Sequence, residues 1–302
     1  MSDVLVADHL VKKFGKFQAL KNITMSIHAG EVFGFIGPNG AGKSTTIRTL
    51  LGILRPTSGS AKIFGRDVWR DAVTIHQRIA YVPGDVHLWP NLTGGEIIDL
   101  LLRLNGDQHS AKTDRLIKDF ELDVSKKSCT YSRGNRQKVA LVAALSSEAD
   151  FYIFDEPTSG LDPIMEEVFQ KYVLSLKEAG KSVLLSSHIL SEVERMCDRI
   201  AIIRKGQIIE VGSLAEMRQL SRSTVHVSTR KPLLSIRDMK GVHQFETKSA
   251  RQGVFSVDSE YLGQVISALA ILNIIQLQST PPTLEDLFLR YYNEEGDLSD
   301  SK

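Results

Sequence analysis

The stretch Gly37-Pro38-Asn39-Gly40-Ala41-Gly42-Lys43-Ser44-Thr45 constrains this chain more than any other. It matches G-x-x-x-x-G-K-[ST], a loop whose glycines let the backbone wrap a phosphate and point its N–H groups inward. The pattern carries weight only between a strand and a helix. Here Val32-Phe33-Gly34-Phe35-Ile36 precedes it as a short buried strand, and residues 45–54 follow as a helix that ends near Pro56. The helix N-terminus adds the positive end of its dipole. Lys43 is placed for β and γ phosphates, and the Ser44 hydroxyl for Mg²⁺.

The surrounding pattern predicts an α/β fold. Residues 4–11, 20–27, 61–64 and 79–82 read as further strands. From about 93 to 146 the character turns helical, opened by Thr93-Gly94-Gly95-Glu96, a capping box. Strand patterns return at 151–154, 183–186 and 200–203. Strands alternating with helices predict a mostly parallel sheet covered on both faces, with the helical stretch inserted as a subdomain. Beyond about 213 the style changes again. Short strands at 224–229 and 253–257, a helix at 260–272 and a last helix at 284–292 predict a small α+β appendage over 216–302, ending in a polar tail.

A second chemical signal is Phe151-Tyr152-Ile153-Phe154-Asp155-Glu156. An apolar strand delivers two carboxylates at its C-terminal end, where open α/β sheets bind ligands. Asp155 is placed to hold Mg²⁺ and Glu156 to orient or deprotonate an attacking water. Composition narrows the partners. The chain has 302 residues, with 37 Lys+Arg against 36 Asp+Glu and a net charge of +1. That balance argues against a phosphate-backbone binder, so no nucleic acid is expected. No apolar run reaches the 18 or so residues of a membrane span, and the N-terminus does not read as a secretory signal. Cys129 and Cys197 are too few for a disulfide framework or a zinc site and fit reduced thiols.

The two motifs together resemble the Walker A and Walker B pair of ATP-binding-cassette (ABC) ATPases, and more of the chain does so. Tyr131-Ser132-Arg133-Gly134-Asn135-Arg136-Gln137-Lys138 resembles that family's signature motif, and Ser159-Gly160-Leu161-Asp162 its D-loop. His188, in Leu184-Leu185-Ser186-Ser187-His188, sits where the family's switch histidine sits. Phe14, in Lys13-Phe14-Gly15, matches the aromatic that stacks on adenine. The stretch 1–215 is similar to one nucleotide-binding domain of that family.

The resemblance implies a P-loop NTPase-type core, ATP and Mg²⁺ as ligands, and a homodimer that sandwiches two nucleotides. Nucleotide contacts then fall on Phe14, on 37–45, on Asp162, and on Ser132, Arg133 and Gly134 reaching the second copy's γ-phosphate. His188 would hydrogen-bond the γ-phosphate of its own copy's site, and Glu156 would act there on the attacking water. A polytopic membrane permease is the implied partner, with the chain cytoplasmic and peripheral on the inner membrane face. A single cassette with a short C-terminal appendage resembles the bacterial drug and antibiotic exporter branch. An importer ATPase, or a non-transport cassette acting in translation or DNA repair, is the alternative. Two departures from the family pattern stand out. Tyr131, Arg133 and Asn135 replace the usual Leu, Gly and Gln of the signature, and Arg133 either adds a cation near the partner's nucleotide or faces solvent. Gly84, in Tyr81-Val82-Pro83-Gly84-Asp85, stands where the family has a glutamine. Asp85 either takes over part of that glutamine's work or is a solvated loop acid.

Overall fold

The computed structural model describes residues 2–219 and 222–280. Contacts divide the chain into two units, Met1–Gly212 and Ser213–Lys302. The first unit begins with β1 (Asp3–Phe14) and β2 (Phe17–His28), an antiparallel hairpin closed by Gly15 at φ 59 and Lys16. Then come β3 (Val32–Ile36), buried throughout, and α1 (Lys43–Leu50). The helix stops short of the expected Leu54. Gly52 takes φ 67 while its N–H bonds Thr49 O and the Ile53 N–H bonds Arg48 O, a glycine-terminated cap inside an unbroken apolar run.

Next are β4 (Ser58–Ile63), β5 (Arg66–Asp67), α2 (Ala72–His76) and β6 (Ile79–Val82). The inserted helices are α3 (Gly94–Asn105), α4 (Ala111–Asp119) and α5 (Arg133–Ser146). Thr93 closes the expected capping box on α3: its N–H donates to Glu96 Oε2 at 2.7 Å, and its hydroxyl accepts from Glu96 N at 3.3 Å. The unit ends with β7 (Phe151–Asp155), α6 (Pro163–Glu178), β8 (Ser182–Ser187), α7 (Leu190–Met196), β9 (Arg199–Arg204) and β10 (Gln207–Ser213).

Two sheets result. The central one runs β10-β9-β3-β8-β7-β6, and its β9-β3, β3-β8, β8-β7 and β7-β6 pairs are parallel. The N-terminal strands do not join it. They form a separate antiparallel sheet, β2-β1-β4-β5. Leu5, Leu10, Ile23 and Ile63 from that sheet bury against Phe33, Phe35, Ile153 and Leu184 of the central one, with Ile47 and Leu50 of α1 in the same core. Gly34 lets α7 approach β3, since a Cβ there would lie 2.7 Å from Val193 Cγ1. The loops that carry residues 37–45, Glu156 and His188 leave the C-terminal ends of β3, β7 and β8, the end at which open parallel sheets place their sites.

The second unit carries α8 (Leu214–Gln219), β11 (Arg222–Thr229), α9 (Leu234–Arg237), β12 (Val242–Ser249), β13 (Gln252–Asp258), α10 (Leu262–Ile271) and β14 (Ile274–Thr280). Its sheet is antiparallel in the order β12-β13-β11-β14. Val225, Val227, Phe255 and Val257 alternate onto one face, where Val265 and Leu269 of α10 cover them. The expected last helix at 284–292 and the polar tail lie outside the described residues.

Candidate active site

The loop from β3 to α1 folds as a phosphate cradle for steric reasons. Gly40 and Gly42 take φ 79 and 114, a region closed to most side chains. Gly37 passes so close to β9 that a Cβ would lie 2.4 Å from Ile203 O. The Lys43 side chain is only 4% exposed. It folds back over the loop, donating to Gly37 O at 2.6 Å and Pro38 O at 3.3 Å. Its Nζ lies 3.1 Å from Glu156 Oε1, and Glu156 Oε2 lies 3.5 Å from His188 Nδ1. One carboxylate thus spans the loop's cation and the histidine after β8.

Glu156 reaches that position through a left-handed backbone, φ 49. For a residue with a Cβ this conformation costs about 1–3 kcal/mol and persists only where the surroundings enforce it. Here the Glu156 N–H donates to both the carbonyl and the hydroxyl of Ser186, each at 3.1 Å. The Ser186 hydroxyl donates in turn to Asp155 Oδ1 at 2.5 Å. Asp155 is buried at the end of β7, paired in register with Ser186 on β8. Burial pushes the nearby Tyr81 phenol up to about 12, with the charge of Asp155 adding and Arg48 opposing. Ser186 had no motif to mark it, because its role comes from strand pairing.

A cleft of about 360 Å³ opens over the loop, lined by Pro38, Asn39, Gly40, Gly42, Lys43, Ser44, Thr45 and Glu156 together with Phe17 and Ala19. Phe14 is not among the lining residues. Phe17, its cross-strand partner at the hairpin end, is. Phe14 is half exposed, with Lys12 Nζ 5.1 Å from its ring centroid.

Ser132, Arg133 and Gly134 do not line this cleft either. They begin α5, with Ser132 and Arg133 exposed and the Ser132 hydroxyl accepting from Asn135 N at 3.2 Å. The bulky Tyr131 is buried, its hydroxyl donating to Asp123 O. Gly94 makes room for it, since a Cβ there would fall 2.3 Å from the Tyr131 hydroxyl. Asp162 caps α6, Oδ1 accepting from Ile164 N at 3.1 Å and Met165 N at 3.0 Å. Gly84 runs close to the end of β7, its ideal Cβ 3.0 Å from Asp155 O. The Asp85 side chain turns to solvent beside His87, 3.6 Å away, and is absent from the cleft lining.

The ABC transporter family profile matches residues 20–159. An uncharacterised ABC transporter ATP-binding protein, YhaQ of Bacillus subtilis, is 32% identical over 95% of this chain and 97% of its own length. The chain belongs to the ABC transporter ATP-binding proteins. An uncharacterised member from Nostoc is 39% identical over 70% of this chain, which spans 64% of that longer relative. The linearmycin resistance ATP-binding protein LnrL of Bacillus subtilis is 30% identical over 95% of this chain and 97% of its own length. A solved ATP-binding cassette, captured as a post-hydrolysis dimer with ADP and phosphate, superposes with a TM-score of 0.64 at 26% identity, covering 70% of this chain and 98% of that one. As an ABC ATPase, this chain binds and hydrolyses ATP for a transporter. Among its described residues no helix is long and apolar enough to cross a membrane.

Proposed function

We propose that this ABC ATPase works as a homodimer that closes around two ATP molecules and drives a separate membrane permease. The observation that carries the reading is the Glu156 carboxylate, held between Lys43 and His188 beside the phosphate loop. The loop N–H groups and Lys43 bind the β and γ phosphates, and Glu156 orients and deprotonates the attacking water. His188 donates to the γ-phosphate. The N-terminus of α5, with Ser132, Arg133 and Gly134, faces the γ-phosphate on the other copy, because these residues do not line their own cleft. The aromatic pair at the β1–β2 turn, Phe14 and Phe17, flanks the adenine.

Mg²⁺ fits the oxygens on offer. Ser44 lines the cleft, and the Asp155 carboxylate is buried and hydrogen-bonded at one oxygen. Among the described residues no cluster of three acidic, His or Cys side chains could cage a metal unaided. Mg²⁺ typically joins one or two protein oxygens to substrate phosphates, and this donor set matches that habit. When bound, it neutralises charge building on the phosphates.

The permease docks beside Gly84. There an apolar groove runs along Pro83, Val86, Leu88 and half-exposed Trp89 to Leu101 and Ala144. The relative named for linearmycin resistance supports export of an antibiotic or similar hydrophobic compound. This chain is then peripheral on the cytoplasmic membrane face, held by the permease. The test is co-expression with a candidate multi-span permease from the same source, followed by drug transport in membrane vesicles. ATP-dependent movement of drug away from the cassette side supports the reading. Absence of membrane retention, or transport toward the cassette side, overturns it.

A further inference from the structure

Two loops of the site meet on one buried carboxylate. Glu192, on α7, is 4% exposed. Its Oε2 accepts from Thr158 Oγ1 at 3.0 Å and from Ser187 Oγ at 3.1 Å, while Oε1 has no hydrogen-bond partner. Thr158 lies just after Glu156, and Ser187 just before His188. The Ser187 hydroxyl also accepts from Ile189 N at 2.9 Å, so it braces the backbone on both sides of His188. In the other loop, Ser159 N bonds Glu156 O at 3.2 Å and Leu161 N bonds Thr158 O at 2.9 Å. The same turn carries Gly160, whose carbonyl packs against α5: a Cβ on Gly134 would lie 2.3 Å from it.

A buried carboxylate with one bare oxygen is a costly way to fill space, since the desolvation of that oxygen is uncompensated. Burial raises the Glu192 carboxyl above its ordinary range. Repulsion from Glu166 on α6 adds to this, and the two hydroxyl bonds and the nearby His188 oppose it. Apolar packing would hold α7 more cheaply. What it would not supply is one acceptor shared by two hydroxyls from two different loops.

We propose that Glu192 is a positioning residue for ATP hydrolysis. It locks the His188 loop to the loop after Glu156, so both groups meet the γ-phosphate in one geometry. Through Thr158 it also sets the turn at Gly160 against the start of the signature helix. The proposal rests on the roles given above to Glu156 and His188.

The test is steady-state ATPase of the full chain, with circular dichroism on each variant. Displacing reacting groups by about 1 Å costs on the order of 10²-fold, so Glu192→Ala should lower kcat at least tenfold. Its KM for ATP should stay within about twofold, because the phosphate loop is untouched. Glu192→Gln keeps an oxygen that accepts both hydroxyls and should restore most of kcat. Thr158→Val, close in shape but without the donor, should lose kcat, and adding it to Glu192→Ala should cost nothing further. Unchanged kcat in Glu192→Ala overturns the proposal, as does equal loss in the Gln and Ala variants. If Glu192→Ala does not fold, wild-type kcat in Thr158→Val overturns it instead. Glu156→Gln run alongside separates the two readings. Full activity there sinks the site assignment, whereas loss there with normal Glu192→Ala sinks only this proposal.

Discussion

Lys43 Nζ and Glu156 Oε1 lie 3.1 Å apart at the floor of the phosphate cleft, with Lys43 almost fully buried and the Glu156 side chain 23% exposed. The cation proposed to bind phosphate and the carboxylate proposed to activate water therefore hold each other. A phosphate entering the loop competes with Glu156 for Lys43. Once it has drawn the ammonium away, His188 is the carboxylate's remaining ion-pair partner among the described residues. On the proposed roles, substrate binding and release of the base are one event, an electrostatic exchange inside a partly desolvated site.

Because α5 begins away from its own cleft, two inactive variants should complement each other. Lys43→Ala removes the charge that neutralises the phosphates. Ser132→Arg places a bulky cation where two copies close. Each alone should nearly abolish hydrolysis. In a mixed dimer one site combines the intact Lys43 of one copy with the intact Ser132 of the other. An equimolar mixture should then recover roughly a quarter of wild-type turnover if dimers form at random around a two-fold axis. Phosphate release measures it, and a mixture as inactive as its components contradicts the shared site.

Gly94 and Tyr131 should behave as a coupled pair. Gly94→Ala drives a methyl into the Tyr131 ring and hydroxyl and should cost about 1–3 kcal/mol, the usual range for overpacking. Tyr131→Phe removes the hydroxyl and its bond to Asp123 O, at a smaller cost of about 1 kcal/mol. The double variant should be more stable than the sum of the two losses predicts. Urea unfolding reads this coupling, and strict additivity would show that the two residues do not meet.

His109 ties α3 to α4: Nδ1 lies 2.7 Å from Asp99 Oδ1 and Nε2 3.1 Å from Asp114 Oδ1. The hydrogen bonds to Asp99 and then Asp114 raise its pKa above the ordinary 6.5. A raised folded-state pKa contributes stability that is complete below the unfolded value and is lost as pH rises through the folded one. The gap in Tm between wild type and His109→Gln should therefore be widest near pH 5.5–6, about where histidine is protonated in both states, and shrink above neutrality. A gap independent of pH would place the effect in packing rather than charge.

The parts of this account that were legible in the sequence are local ones. The phosphate loop announces itself because glycine is needed at Gly40 and Gly42 for backbone reasons and Lys43 follows at fixed spacing. The capping box at Thr93 and the buried strand ending in Asp155 are equally self-contained. Edge strands were harder. In β12 only Val242 and Phe245 are large and apolar, and β14 follows α10 after the single left-handed residue Asn273, φ 57, so an apolar run hides the break. The separate N-terminal sheet was invisible for another reason, since strand patterns do not name their partners. Ser186, Phe17 and Glu192 could not be found from spacing either. Thr158 and Glu192 are 34 residues apart, and only the stacking of β7, β8 and α7 brings them together.

The most direct measurement is Glu156→Gln in the full chain. The amide keeps the shape of the side chain, removes the base and frees Lys43 from its ion pair. ATP should bind at least as tightly as to wild type, while hydrolysis slows by roughly 10²- to 10⁴-fold, the usual share of a positioned base. With turnover stalled, Mg²⁺ and ATP should shift the protein to a dimer by size-exclusion chromatography. Wild-type turnover in Glu156→Gln would contradict the account, because the water would then be activated by a group other than the carboxylate between Lys43 and His188.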